Sequence, residues 1–185
     1  MTSRKHGVIV AGVAALTTAS LLTLLRASRV GNPQVPEPAL PVDLNRYVGL
    51  WYELARYDNG FERGLDNVTA EYRVRSDGLL EVINQGWRHG RRRRRISHGK
   101  ARVVAEQNNK LKVSFFGPFY VGDYWILDRA DDYEWAIVGE PSGRYLWLLT
   151  RSPDVAGGTR ARLIRRAQAL GYDTSLLRFT AHHLS

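Results

Sequence analysis

The sequence predicts an all-β fold: an eight-stranded antiparallel up-and-down β-barrel with one C-terminal helix packed on its wall, preceded by an apolar N-terminal helix. Three features carry this. Short runs of β type, alternating most clearly between apolar and polar residues in Val68–Arg75, follow one another from Trp51 to Thr150, split by turn residues at hairpin spacing. A single stretch of helical periodicity comes after them. An uncharged apolar segment, Gly7–Leu25, lies ahead of everything else.

The chain has 185 residues and a formal net charge of +9. Setting aside about 40 N-terminal residues leaves roughly 145, a single-domain length able to bury about two-thirds of its unfolded surface. There is no cysteine, which excludes disulfides, thiol catalysis, thiolate zinc sites and lipidation through sulfur. Part of the positive excess is Arg4 and Lys5; part is the run Arg91, Arg92, Arg93, Arg94 and Arg95. Such a balance favours an anionic partner, whether membrane surface, nucleic acid or acidic ligand, without choosing among them.

Residues 1–30 read as a signal anchor or a signal peptide. Arg4-Lys5-His6 precedes Gly7–Leu25, of which eighteen residues in a helix span about 27 Å, close to the hydrocarbon thickness of a bilayer. Basic residues on its N-terminal side favour export of the chain beyond it. Secretory cores are usually shorter and no clean small-x-small cleavage site comes after Leu25, which favours the anchor. Residues 31–41, with Pro33, Pro36, Pro38 and Pro41, read as a stiff extended spacer. The folded domain is then 42–185.

Its strands come in order. Trp51–Tyr57 is the first. After the loop Asp58–Asn67 comes Val68–Arg75, where Val68, Ala70, Tyr72 and Val74 alternate with Thr69, Glu71, Arg73 and Arg75, one dry face and one wet. Ser76-Asp77-Gly78 is a hairpin signal, since glycine accepts positive φ at little cost. Leu79–Trp87 and Ile96–Val104 come next; Gln107-Asn108-Asn109-Lys110 turns the chain into Leu111–Phe116, which Gly117-Pro118 ends. Tyr124–Leu127, Trp135–Gly139 and Tyr145–Thr150 complete the eight, separated by Asp131-Asp132 and Pro141-Ser142-Gly143. A meander of this kind resolves its edges best by closing on itself, whereas a sandwich usually needs longer crossing connections. In Thr159–Leu170, Ala161, Leu163, Ile164, Ala167 and Leu170 stand at helical spacing among arginines, with Gly171 as C-cap. Leu176–Thr180 suits a short final strand.

Several segments in this order resemble the lipocalins: Gly49-Leu50-Trp51-Tyr52 in the first strand, a late Arg151, and a single C-terminal helix. The resemblance runs from about Leu44 to Phe179. It is sharpest to the bacterial outer-membrane branch, through Arg56-Tyr57-Asp58, Phe61-Glu62-Arg63-Gly64-Leu65, Val82-Ile83-Asn84, Lys112 to Tyr120 and Tyr145 to Arg151. It implies a calyx in which Gly49, Trp51 and Arg151 close one end, the guanidinium laid across the indole, a pairing that gains ~0.5–2 kcal/mol. The bacterial relatives usually carry a lipid-modified cysteine, absent here, so attachment would come from Gly7–Leu25 and face the periplasm, or the protein would be secreted.

A barrel of eight strands can enclose one small ligand. Alternation, with the resemblance, puts Glu53, Ala55, Val68, Ala70, Tyr72, Asn84, Tyr124, Ile126, Ala136, Val138, Tyr145 and Trp147 on the inner, ligand-binding face, joined by Val74 and Leu149. That lining suits an acyl chain with a hydrogen-bonded head, a fatty acid or a lysophospholipid. The alternative is a residue set that packs the barrel solid, leaving an interaction or membrane-stress module. If Trp51 marks the closed end, the loops Asp58–Asn67, Arg88–Arg95, Gly117–Asp123 and Glu140–Arg144 form the mouth. The Arg91–Arg95 run then stands at the rim, either as a solvated tip or as an attractor for anionic headgroups.

No catalysis is expected. His6, His89, His98, His182 and His183 show no metal-ligand spacing, no Gly-x-Ser-x-Gly elbow, P-loop or dinucleotide fingerprint occurs, and no cofactor is implied. Glu62 and Asp131-Asp132 read as loop and turn residues. The arginine run lacks the aromatic interleaving of a nucleic-acid site beyond Trp87, so no nucleic-acid partner is expected.

Overall fold

A computed structural model describes residues 30–88, 93–115 and 117–183. The expected N-terminal apolar helix, with Arg91 and Arg92 of the basic run, lies outside the described residues. A short helix α1 (Leu44–Tyr47), N-capped by Asp43, leads into β1 (Gly49–Tyr57). Next come β2 (Leu65–Val74), β3 (Leu80–Arg88), β4 (Arg94–Val103), β5 (Lys110–Ser114), β6 (Gly122–Arg129), β7 (Trp135–Gly139) and β8 (Leu146–Thr150). Helix α2 (Gly157–Ala169), a 3₁₀ turn (Thr174–Leu176) and β9 (Leu177–Phe179) end the chain.

All neighbouring strands pair antiparallel in sequence order, and β1 closes the sheet by pairing with β8 on one side and β2 on the other. The seam is shared along β1. Its first half, Gly49–Tyr52, pairs with β2, and its second, Ala55–Tyr57, pairs with β9. The C-terminal tail thus fills the gap that opens where β2 diverges, bonded at Asn67 N→Ala181 O (2.8 Å) and Thr180 N→Leu54 O (3.1 Å).

Apolar residues separate into two layers through the wall. Tyr47, Trp51, Tyr72, Leu80, Val82, Ala101, Leu111, Ile126, Ala136, Val138 and Leu149 pack inside the barrel. Outside, Leu54, Leu127, Trp135, Ile137, Leu146 and Leu148 pack under Leu163 and Ala167 of α2. This explains the uninterrupted apolar run of β7: a strand covered on both faces has no wet side, so period-two alternation disappears. The helix ends at Gly171, whose φ of +90° allows Gly171 N→Gln168 O and Tyr172 N→Ala167 O to close its last turn.

Two expectations need correction here. Residues 31–41 are not a free spacer but a strap along the wall. Gly31 N reaches Gly143 O (3.1 Å) at one end of the barrel, while Asn109 Nδ2 holds the carbonyls of Pro38 and Leu40 (3.1 Å each) at the other. Proline lacks the backbone donor that a buried chain must satisfy, so four prolines let this segment lie flat on the wall at little polar cost. Arg94 and Arg95 are not loop residues either: they open β4, opposite Trp87 and Gly86.

Candidate functional site

The closed end is built first by α1 and the turn into β1. Gly49 enters the strand at φ +99°, a conformation that side chains rarely tolerate. Trp51 is then fully buried, its Nε1 donating to Tyr47 O (2.8 Å). The Arg151 guanidinium lies 3.7 Å from the Trp51 ring centroid. It also donates to the carbonyls of Arg46 (2.7 Å), Tyr47 (3.0 Å), Val48 (3.1 Å) and Leu50 (2.8 Å). One planar cation therefore satisfies the carbonyls that α1 leaves at its C-terminal end.

Above this floor three phenols meet. Tyr124 Oη lies 2.6 Å from Tyr47 Oη and accepts from Tyr72 Oη (2.8 Å). Burial raises all three hydroxyl pKa values, with the neighbouring phenols adding to the effect at Tyr47 and Tyr124, so they stay neutral donors and acceptors.

Between the phenols and the mouth is a cavity of about 400 Å³. Nine of the expected residues line it: Glu53, Val68, Ala70, Tyr72, Asn84, Tyr124, Tyr145, Trp147 and Leu149. A side chamber of about 210 Å³ adjoins it past Phe61, Glu62, Val68, Asn84 and Phe115, with Arg95 on its wall. The interior is thus not packed solid by Tyr72, Tyr145 and Trp147.

Four expected residues lie elsewhere on the inner face or off it, and Val74 makes a fifth. A β-bulge at Leu54 shifts the β1–β8 register between Glu53 and Ala55. Ala55 therefore joins the outer cluster under α2 rather than facing ligand, and Arg56 takes the inner position. Ile126, Ala136 and Val138 do face inward, but they are fully buried in the packed floor below the cavity. Val74, opposite Leu80 of the inner cluster, keeps the inner side of the register but stands at the end of β2, 58% exposed and outside the cavity lining.

The bulge has a chemical consequence. Arg56, fully buried, pairs with the Glu53 carboxylate, donates to Thr180 Oγ1 (3.1 Å) and holds the carbonyls of Glu62 (2.7 Å) and Leu65 (3.3 Å). Thr180 donates to the same Glu53 oxygen, while Glu53 Oε2 has no partner among the described residues. Burial, then the nearby Glu62 carboxylate, pushes the Glu53 carboxyl up from 4.5 to about 7 against the pull of Arg56. Glu62, read from sequence as a loop residue, also lines the cavity; its Oε2 accepts from Asn59 Nδ2 (2.6 Å) and Trp147 Nε1 (3.0 Å). Phe61 stacks beside Tyr145 and Trp147, with centroids 5.7 and 6.4 Å away. Sequence reasoning missed Phe61, Glu62 and Glu140 because loop residues carry no alternation to read, and Phe115 because no inner face was assigned to the strand Leu111–Phe116. The available signal in the loop Asp58–Asn67 was its two large apolar residues, Phe61 and Leu65.

Of the basic run, Arg94 bonds Gln85 Oε1 and Arg95 Nη1 donates to Phe61 O (3.1 Å) at the rim. In the loop between β5 and β6, Phe119 and Val121 are strongly exposed apolar residues, at 71% and 84%.

Comparison with known proteins agrees with this architecture. A family model for a lipocalin-like domain matches residues 42–182. The outer membrane lipoprotein Blc of Vibrio cholerae is 44% identical over 160 residues, covering 85% of this chain and 92% of that protein. Its Escherichia coli K12 counterpart is 44% identical over 134 residues, 72% of this chain and 75% of that one. Among solved structures, insecticyanin from the tobacco hornworm Manduca sexta superposes with a TM-score of 0.65 at 20% identity, over 80% of this chain and 84% of that one. The chain belongs to the lipocalin family.

Proposed function

We propose that this protein binds, and stores or transports, one single-chain amphiphile, a fatty acid or a lysophospholipid, at the bacterial cell envelope, without catalysing a reaction. The observation that carries this is the cavity of about 400 Å³, apolar along Val68, Ala70, Val82, Val113 and Leu149, with polar groups at a few points. That is the make-up of a small-ligand site: apolar walls supply affinity, and sparse polar groups orient a head. The similarity to outer membrane lipoproteins supports the envelope address. Residues 1–30 would hold the domain to the membrane as an anchor. The mouth, with Arg93–Arg95 beside Trp87 and Ile96 and with exposed Phe119 and Val121 on the β5–β6 loop, would rest on an anionic leaflet, each arginine contributing up to about 1 kcal/mol.

Native mass spectrometry of the full chain, challenged with fatty acids and lysophospholipids, tests the binding reading. A saturable one-to-one adduct is expected. A barrel that stays empty against the whole panel overturns it and favours an interaction module. Reversing the charges of Arg91–Arg95 is expected to weaken association with anionic vesicles; unchanged association would remove the leaflet from the proposal.

A further inference from the structure

The cavity of this basic protein is acidic. Glu53, Glu62, Asp123 and Glu140 line it, and no lysine, arginine or histidine among the described residues does. Asp123 is neutralised by Lys112 at 2.7 Å. Arg56, the nearest cation to Glu53, is absent from the lining, and both its terminal nitrogens are engaged with Glu53, Thr180 and two carbonyls. Among the described residues the side-chain donors to the Glu62 carboxylate are neutral, Asn59 and Trp147. Glu140 accepts from Ser142, Arg144 N and Tyr145 N within its own turn, with no cationic side chain.

Two further observations point to what these charges face. Glu53 Oε2 is a buried acceptor without a donor among the described residues, on a residue 2% exposed that lines the cavity. Phe61, Tyr145 and Trp147 form a cluster of three mutually neighbouring rings, Tyr145 and Trp147 with centroids 5.8 Å apart and planes within 7°. Ring faces attract cations, most strongly where water is excluded, and carboxylates beside them add to that attraction. An anionic head at the same place would meet Glu62 and Glu140 as like charges.

We propose that the cavity selects single-chain amphiphiles whose head carries a cationic nitrogen, held between the Glu62 carboxylate and the Phe61–Tyr145–Trp147 rings, over carboxylates of the same chain length. This rests on the reading of the barrel as an amphiphile site and names the head-group class it takes. The tail runs down the apolar wall towards Tyr124. Arg95 of the rim stands on the wall of the side chamber, which Phe61 and Glu62 also line, and donates to Phe61 O (3.1 Å).

The test is calorimetric titration of the full chain with dodecylammonium, dodecanol and dodecanoate at about pH 8, each below its aggregation concentration. Dodecylammonium is expected to bind roughly tenfold more tightly than dodecanoate, with dodecanol between them. Glu62→Gln is expected to collapse the ratio of ammonium to carboxylate affinity. Dodecanoate binding as tightly as the ammonium overturns the inference but leaves the amphiphile site standing, and loss of that binding in Arg95→Gln would place the head at the rim instead. Should none of the three bind saturably, both readings fall. The wild-type ratio decides alone if Glu62→Gln does not fold.

Discussion

The two ends of the barrel interior solve the same problem in opposite ways. At the closed end the polar groups around Trp51 are used: the indole bonds Tyr47 O, Arg151 holds five carbonyls, that of Tyr133 included, and the phenols of Tyr47 and Tyr72 both bond that of Tyr124. Towards the mouth, the buried atoms without partners among the described residues include Glu53 Oε2, Arg56 Nε and Thr69 Oγ1. A satisfied network in a dry core rigidifies, whereas an open acceptor beside a cavity costs stability until something fills it. The floor is therefore the satisfied half, and the upper half leaves buried polar atoms without a partner among the described residues.

The largest effect should come from breaking the floor. Trp51→Ala removes a fully buried indole together with its hydrogen bond and the ring beneath Arg151, and is expected to cost about 3–5 kcal/mol in chemical denaturation. A cost no larger than that of a surface substitution would show that the floor is not where stability resides. Arg151→Ala should come next at about 2–3 kcal/mol, because five carbonyls lose a charged donor. Arg151→Lys should recover little of it, since one ammonium cannot span five acceptors and lie flat on an indole.

The same contrast explains what was legible in the sequence. The strands, their order and the helix could be read because each has a periodicity imposed by the wall it builds. The pairing of Trp51 with Arg151 came only through family resemblance, since nothing local links residues a hundred apart. Ala55 was misplaced by one extra residue at Leu54: parity counting holds only while the ladder is regular, and a bulge leaves no mark in an apolar run. Alternation placed Ile126, Ala136 and Val138 inside, yet it fixes a face and not a depth, so it could not tell floor from cavity wall. The strap 31–41 was invisible because its attachment depends on distant partners such as Asn109 and Gly143.

The upper half can be probed by pH. Glu53 is faced by Arg56, Glu62, the Thr180 hydroxyl and, at its carbonyl, the ring of His182. Its carboxyl is raised from 4.5 to about 7 in the fold. The folded state then holds a proton that the unfolded chain has released, so this contribution to stability is complete below pH 4.5 and is lost as pH rises to about 7. The expected decline is on the order of 2 kcal/mol, and Glu53→Gln should abolish it. A wild-type stability that rises across that interval, after subtraction of the Glu53→Gln curve, would mean that Arg56 dominates and that the site is a closed ion pair rather than an open acceptor.

The smallest effect is expected at the joint between the halves. Tyr124 bonds both Tyr47 and Tyr72 and also lines the cavity. Tyr124→Phe keeps the ring and removes one oxygen, so it should cost about 1 kcal/mol from the two stranded hydroxyls. Since the head group is argued to sit at the mouth and only the tail to reach Tyr124, affinity for a dodecyl amphiphile should change less than about threefold. A larger loss of affinity with unchanged stability would reverse the orientation, placing the head on the phenols and the tail at the rings of Phe61 and Trp147.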